Sequence, residues 1–198
     1  MVQDELYMKE ALHQASLAFS VGEIPIGAVI TYNDTIIATA YNLRESLPCA
    51  TAHAELLAIE KACRALQRWR LTGCTLYVTV EPCPMCAGAI VNSRLDRLIY
   101  GCPDPKGGAV HTLFQILSHP QLNHHPEVIA GIQQESCANL LKDFFRQRRQ
   151  KKKVPLPKKG TFFSYPLRVT ASSLINANTS SAGFTPISPC DRSRTAIV

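Results

Sequence analysis

The stretch TLYVTVEPCPMCAGAI, residues 75–90, constrains this chain more than any other. Thr75–Val80 is rich in β-branched residues, which favour an extended, packed backbone. Pro82 fixes its own φ and lacks an N–H, so a ladder of strand hydrogen bonds stops there. The residues from Met85 to Ser93 are mostly small or apolar and predict a short helix. A strand-to-helix turn follows, with Cys83 and Cys86 at the helix start. The unpaired N–H groups and positive potential of a helix N-terminus favour thiolates over thiols. Taken alone, such a C-x-x-C fits a redox dithiol, half of a closed structural zinc site, or part of an open catalytic metal site.

A second stretch narrows that choice. TAHAE, residues 51–55, opens a segment with apolar residues at 56, 59, 63 and 66, the spacing of a helix. Thr51 or a neighbour is expected to cap it. The chain has no second C-x-x-C, so the evident donors are His53, Cys83 and Cys86. Three protein ligands leave one position for water, as in catalytic zinc sites. Glu55 lies roughly 200° further round a helix than His53. It is therefore expected to flank the site as a general acid/base rather than to ligate. Either half of this pattern is ordinary by itself: a lone histidine on a helix is usually a core or surface residue. Together, H-x-E at a helix start and P-C-x-x-C at a strand-to-helix turn are hard to obtain by chance.

The rest of the chain supplies a scaffold. A helix is expected over 5–20, with Met8, Leu12, Ala15 and Phe19 on one face. Strands are expected at 26–31 and 35–40 around a turn at Tyr32-Asn33-Asp34, then at 75–80, 97–101 and 127–132. HTLFQILS, residues 111–118, reads as a short helix. Residues 134–150 read as a last one, with Ala138, Leu141, Phe144 and Phe145 inward and Arg146, Arg148 and Arg149 outward. This alternation predicts an α/β domain with helices covering a mixed sheet.

Charge separates the chain into two parts. Residues 1–150 carry 13 Lys and Arg against 14 Asp and Glu, whereas residues 151–198 carry eight against one. The basic balance belongs to the C-terminal stretch, not to the body. We expect a domain over 1–153 and a basic, then Ser/Thr/Ala-rich, disordered extension over 154–198. The eight cysteines are scattered as free thiols of a reduced compartment would be. The N-terminus does not look like a signal peptide, and no run is long and apolar enough to span a bilayer. A cytoplasmic protein is the expectation.

The H-x-E and P-C-x-x-C pair is the signature of zinc-dependent nucleobase deaminases. Beyond it, the segments GEIPIGAVI, YNLRE, TLYVTVEPCPMCAGAI, YGCPDPKGGAV, LSHPQLNHHPEV and CANLLKDFFRQRRQ resemble the bacterial tRNA-specific adenosine deaminases across residues 3–153. The resemblance implies a cytidine-deaminase-like three-layer α/β/α fold with a mixed five-stranded sheet. It implies adenosine-to-inosine conversion at the wobble position of a tRNA anticodon, in arginine tRNA for the bacterial type, by zinc-bound hydroxide. One Zn2+ per subunit, a homodimer and no membrane association are implied as well. By the same resemblance His53, Cys83 and Cys86 are zinc ligands and Glu55 the proton shuttle. Asn42 would bind the flipped base. Asp104 and Lys106 would lie on an anticodon-contacting loop, and His119, Asn123 and His124 would border the RNA. Arg146, Arg148 and Arg149 would meet phosphates. Two other functions fit the same residues: a guanine or cytosine deaminase acting on free bases or nucleosides, and a noncatalytic zinc-stabilised RNA-binding module.

Overall fold

The computed structural model of the protein describes residues 2–153, with side chains described to residue 150. The expected extension over 154–198 lies outside these residues. The elements are α1 (Val2–Ser20), β1 (Gly27–Tyr32), β2 (Thr35–Tyr41), α2 (Ala54–Leu66), β3 (Cys74–Val80), α3 (Pro84–Asn92), β4 (Arg97–Cys102), β5 (Glu127–Ala130) and α4 (Gln134–Lys153). The strands form one sheet in the order β2-β1-β3-β4-β5. β1 runs antiparallel to β2 and β3, while β3, β4 and β5 are parallel to one another. The mixed five-stranded α/β fold is as expected.

Local chemistry explains the joints. Asn33 and Asp34 both have positive φ, 49° and 57°, between the paired residues Tyr32 and Thr35. Two consecutive left-handed residues make the tight hairpin whose twist matches its strands, and Asn and Asp tolerate that conformation best after glycine. Successive strand residues point to opposite faces. Ala28, Ile30, Leu76, Val78, Leu98 and Tyr100 therefore pack under α2 and α3. Val29, Tyr77 and Ile99 pack under α1 and α4 on the other face. β3 is buried along its whole length, so the strand that delivers Cys83 is the most enclosed part of the sheet. At its neighbour β1, a Cβ on Gly27 would run into the backbone of α1 at Ala11 and Ala15. Glycine is what lets that helix lie so close.

Two local expectations need correction. Residues 111–118 form turns, not a helix. The N–H groups that would begin a helix are used elsewhere: His111 and Thr112 donate to the Glu81 carboxylate, and Leu113 and Phe114 donate to the Gly108 carbonyl. In the last helix Phe144 is buried but Phe145 is exposed. Helix α2 turns Ala54, Ala58 and Ala62 fully inward, leaving the larger Leu56, Cys63 and Leu66 half-buried. Among the described residues Cys63, Cys74, Cys83, Cys86, Cys102 and Cys137 are free thiols. Cys49 is buried, with its Sγ 3.3 Å from the Thr51 hydroxyl.

Candidate active site

Helices α2 and α3 both begin beyond the C-terminal end of β3, and their caps carry the chemistry. His53 is the N-cap of α2, with extended φ and ψ of −83° and 149°. Its carbonyl accepts the Leu57 N–H at 3.0 Å. The cap is thus His53 rather than Thr51, and its side chain is released from helical spacing relative to Glu55. Cys83 is the N-cap of α3, followed by Pro84, and its carbonyl accepts the Ala87 N–H at 2.8 Å. Proline is well suited there because the N–H it lacks has no intrahelical partner. Cys86 falls one turn into the helix and is completely buried.

The three donors converge. His53 Nδ1 lies 3.7 Å from Cys83 Sγ and 3.6 Å from Cys86 Sγ. All three ligand atoms lie within 4.8 Å of one another. A tetrahedral zinc centre with ordinary Zn–N and Zn–S bonds separates its nitrogen and sulfur ligands by about 3.6 Å. The donor set and its spacing therefore fit such an ion, with no fourth protein ligand in the group.

The electrostatics are those of a thiolate site. The Cys86 thiol donates toward Cys83, and this contact does most to hold the Cys83 pKa down, to about 4. Burial opposes the shift and His53 reinforces it. The same contact, with burial, pushes Cys86 up. The bond to Cys83 also raises the His53 pKa, against burial.

Glu55 stands beside this cluster. It is 3% exposed, and among the described residues its Oε2 is the buried side-chain oxygen or nitrogen with no hydrogen-bond partner. Burial above all raises its pKa, and the Cys83 charge adds to that. A buried polar atom without a partner costs on the order of 1–3 kcal/mol, so its retention points to use.

Two further buried carboxylates organise the surrounding loops, and the sequence reading did not single them out. Glu81, just before the metal turn, accepts four backbone N–H groups. Asp104 donates to Oε2 at 3.1 Å, while Val110, His111 and Thr112 donate to Oε1 at 2.7–3.0 Å. Burial works to raise its pKa, but these donors outweigh it and hold the group below its ordinary value. Ala109 also donates to the Pro82 carbonyl at 2.8 Å, so loop and metal turn are joined twice. Glu23, fully buried, accepts the Asn42 amide at 3.0 Å and the Ser46 N–H at 2.6 Å. The available signal was position: each is an acid set in a run of apolar residues at the edge of a strand.

Glu81→Gln tests the first of these hubs. Glutamine keeps one acceptor oxygen for Val110, His111 and Thr112 but turns an NH2 toward the Asp104 N–H. The expected cost is about 1–3 kcal/mol, or about 2–4 °C in Tm per kcal/mol for a domain of this size. Limited proteolysis should first cut within 103–112. An unchanged melt and cleavage pattern would mean that the loop is held by other contacts.

The structure gathers some of the expected site residues and separates others. Asn42 is buried next to the cluster: Leu43 donates to the Ala52 carbonyl at 3.0 Å, one residue before His53. Asp104 shares Glu81 with the metal turn, and its Oδ1 accepts the exposed Lys106 N–H at 3.0 Å. Asn123 and His124 instead anchor at the opposite end of β4, on Arg94 at 2.6 Å and on the Leu95 carbonyl at 2.6 Å. His119 is exposed, with its carbonyl 3.0 Å from His125. Arg146, Arg148 and Arg149 are exposed on α4, across the sheet from the cluster. Arg146 pairs with Asp143, and Arg148 lies over the Phe144 ring.

A sheet that delivers a His/Cys/Cys group and a buried glutamate to two helix caps is the framework of a deaminase, and the sequence model of the MafB19-like deaminases matches residues 2–149. The tRNA-specific adenosine deaminase of Bacillus subtilis (strain 168) is 54% identical over 154 residues, covering 78% of this chain and 96% of that protein. That of Streptococcus pyogenes serotype M1 is 44% identical over 148 residues, covering 75% and 86%. A solved structure from a study of A-to-I editing by tRNA:A34 deaminases superposes with a TM-score of 0.66 at 44% identity, covering 68% of this chain and 98% of that one. The chain belongs to the family of tRNA-specific adenosine deaminases.

Proposed function

We propose that this protein hydrolyses the 6-amino group of adenosine in a tRNA anticodon, leaving inosine at the wobble position, with an arginine tRNA as substrate. The observation that carries this reading is the unpartnered Oε2 of Glu55 beside the three-donor cluster. The names borne by the relatives supply the substrate class.

His53, Cys83 and Cys86 would hold zinc, which when bound brings the pKa of a water ligand to about 7. The chain's own residues do the rest. Glu55 takes a proton from the attacking water and delivers it to the leaving nitrogen, as the new C6–O bond forms and the C6–N6 bond breaks. Ammonia departs. Its buried position keeps that proton from bulk water. Asn42 offers its side-chain amide to a purine edge. Asp104 and Lys106 present a loop fixed by Glu81 to the anticodon. Arg146, Arg148 and Arg149 add phosphate attraction from across the sheet, and Asn123 and His124 at the far end of β4, with the exposed His119, would meet RNA away from the cluster. In this reading the protein is a cytoplasmic homodimer with one zinc per subunit.

The test is conversion of an arginine tRNA with adenosine at the wobble position, scored by sequencing, where inosine is read as guanosine. Zinc-loaded protein that yields no inosine overturns the proposal. Faster ammonia release from free guanine or cytosine than from tRNA makes it a base deaminase instead. Tight RNA binding without turnover makes it a binding module.

A further inference from the structure

We infer that Glu23 is a positioning residue that sets the hydrogen-bonding direction of the Asn42 amide, and thereby which atoms of a base the site accepts. The inference rests on the reading of Asn42 as a substrate-facing residue.

Glu23 is fully buried, and the reaction has no use for it. Burying a carboxylate is costly unless its oxygens are satisfied. Both of its oxygens accept from one short segment: Oε2 from Asn42 Nδ2 at 3.0 Å and Oε1 from the Ser46 N–H at 2.6 Å. That segment is the one beside the metal ligand. The Asn42 N–H donates to the Ile26 carbonyl at 3.0 Å, and the Leu43 N–H to the Ala52 carbonyl at 3.0 Å. Leu47 and Cys49 fold back onto the carbonyls of Leu43 and Arg44.

A primary amide can normally turn over and exchange its acceptor for its donors. Here it cannot. A carboxylate that already accepts from Ser46 offers only an acceptor to Asn42, so the amide must turn its NH2 toward Glu23. Oδ1 is then directed away from Glu23 as a fixed acceptor. Charge-assisted bonds of this kind are about twice as strong as neutral ones. The buried charge thus contributes orientation, and the orientation contributes selectivity: a site that hydrogen-bonds a substrate group rejects analogues that leave its own groups unpaired.

Glu23→Gln inverts the arrangement without changing shape. Its Oε1 must still accept from Ser46, so its NH2 faces Asn42, which has to turn Oδ1 inward. We expect kcat/KM on the tRNA to fall by about 10²-fold, with zinc content unchanged and Tm within a few degrees of wild type. Asn42→Asp alone sets two carboxylates against each other and should be at least as damaging. In the double variant Glu23→Gln/Asn42→Asp, the glutamine donates to the aspartate and an acceptor oxygen again points away from position 23. The double variant should recover about tenfold over Glu23→Gln, where independent structural damage would add.

A second readout does not need activity. One Asn42 side-chain amide proton should exchange slowly with solvent in the wild type and rapidly in Glu23→Gln, measured by NMR. The inference is overturned if Glu23→Gln keeps wild-type kcat/KM, if the double variant is no better than Glu23→Gln, or if Glu23→Gln loses zinc and melts early. If wild-type protein makes no inosine but the exchange pattern holds, the tRNA reading falls and the control of Asn42 by Glu23 stands.

Discussion

Glu55→Ala should lose at least about 10²–10⁴-fold in single-turnover inosine formation, the range contributed by a positioned proton donor and acceptor. Zinc content and affinity for the anticodon stem-loop should be nearly unchanged. The reason lies in the division of labour at the site. His53, Cys83 and Cys86 form a complete three-donor set without the glutamate, and Glu55 Oε2 is engaged by nothing in the protein. Removing it frees a buried polar group and costs the fold little. Glu55→Gln sharpens the test, because the amide keeps the volume but cannot carry the proton. Metal analysis, stem-loop titration and a single-turnover assay on the same preparations decide the matter. Near-normal turnover in either variant would remove Glu55 from the mechanism, and loss of zinc in both would make it a structural residue.

Cys86→Ser should cause the larger loss of metal. Cys86 is completely buried on α3 and lies 3.6 Å from His53 Nδ1 on the cap of α2. Losing an outer-shell partner of a metal ligand commonly costs 10–100-fold in affinity, and a direct ligand should exceed that. Because an ion held by His53 and Cys83 would bridge two helix caps, its binding free energy would also bear on folding. Ligand at about 100 times its Kd adds about 2.7 kcal/mol, or several degrees in Tm. A chelator should therefore lower the melting temperature of the wild type and leave Cys86→Ser where it was. Equal melting of both proteins, with and without chelator, would show that the cluster holds no structural ion. Reversible Cys83–Cys86 disulfide formation in metal-free wild type would revive the redox reading.

The convergence of His53, Cys83 and Cys86 was legible because it is written in spacing. H-x-E before a helical run and P-C-x-x-C after a strand each place their side chains by local geometry, and only the meeting of the two needed the fold. The strands were legible for the same reason, since β-branched runs and the Asn33-Asp34 turn act locally. Residues 111–118 misled because their apolar pattern is real while their backbone donors are claimed by Glu81, 30 residues away for His111. No local rule reports that. Glu23 and Glu81 were missed on similar grounds: their partners are amides lying 19–31 residues away in sequence. The helix α2 was legible from its apolar spacing, but not that its alanines Ala54, Ala58 and Ala62 lie deepest, because so small a side chain gives a weak apolar signal.

That last point has a consequence for the reaction centre. Ala54, Ala58 and Ala62 form the row by which α2 rests on the sheet. Their methyl groups act as shims that fix how high the helix rides, and His53 stands at the end of the same rigid rod. A bulkier side chain at Ala62 would tilt that rod and lift the imidazole away from the two sulfurs. Any metal affinity of the cluster would in that sense be gauged from Ala62 as well, nine residues and more than two turns from His53.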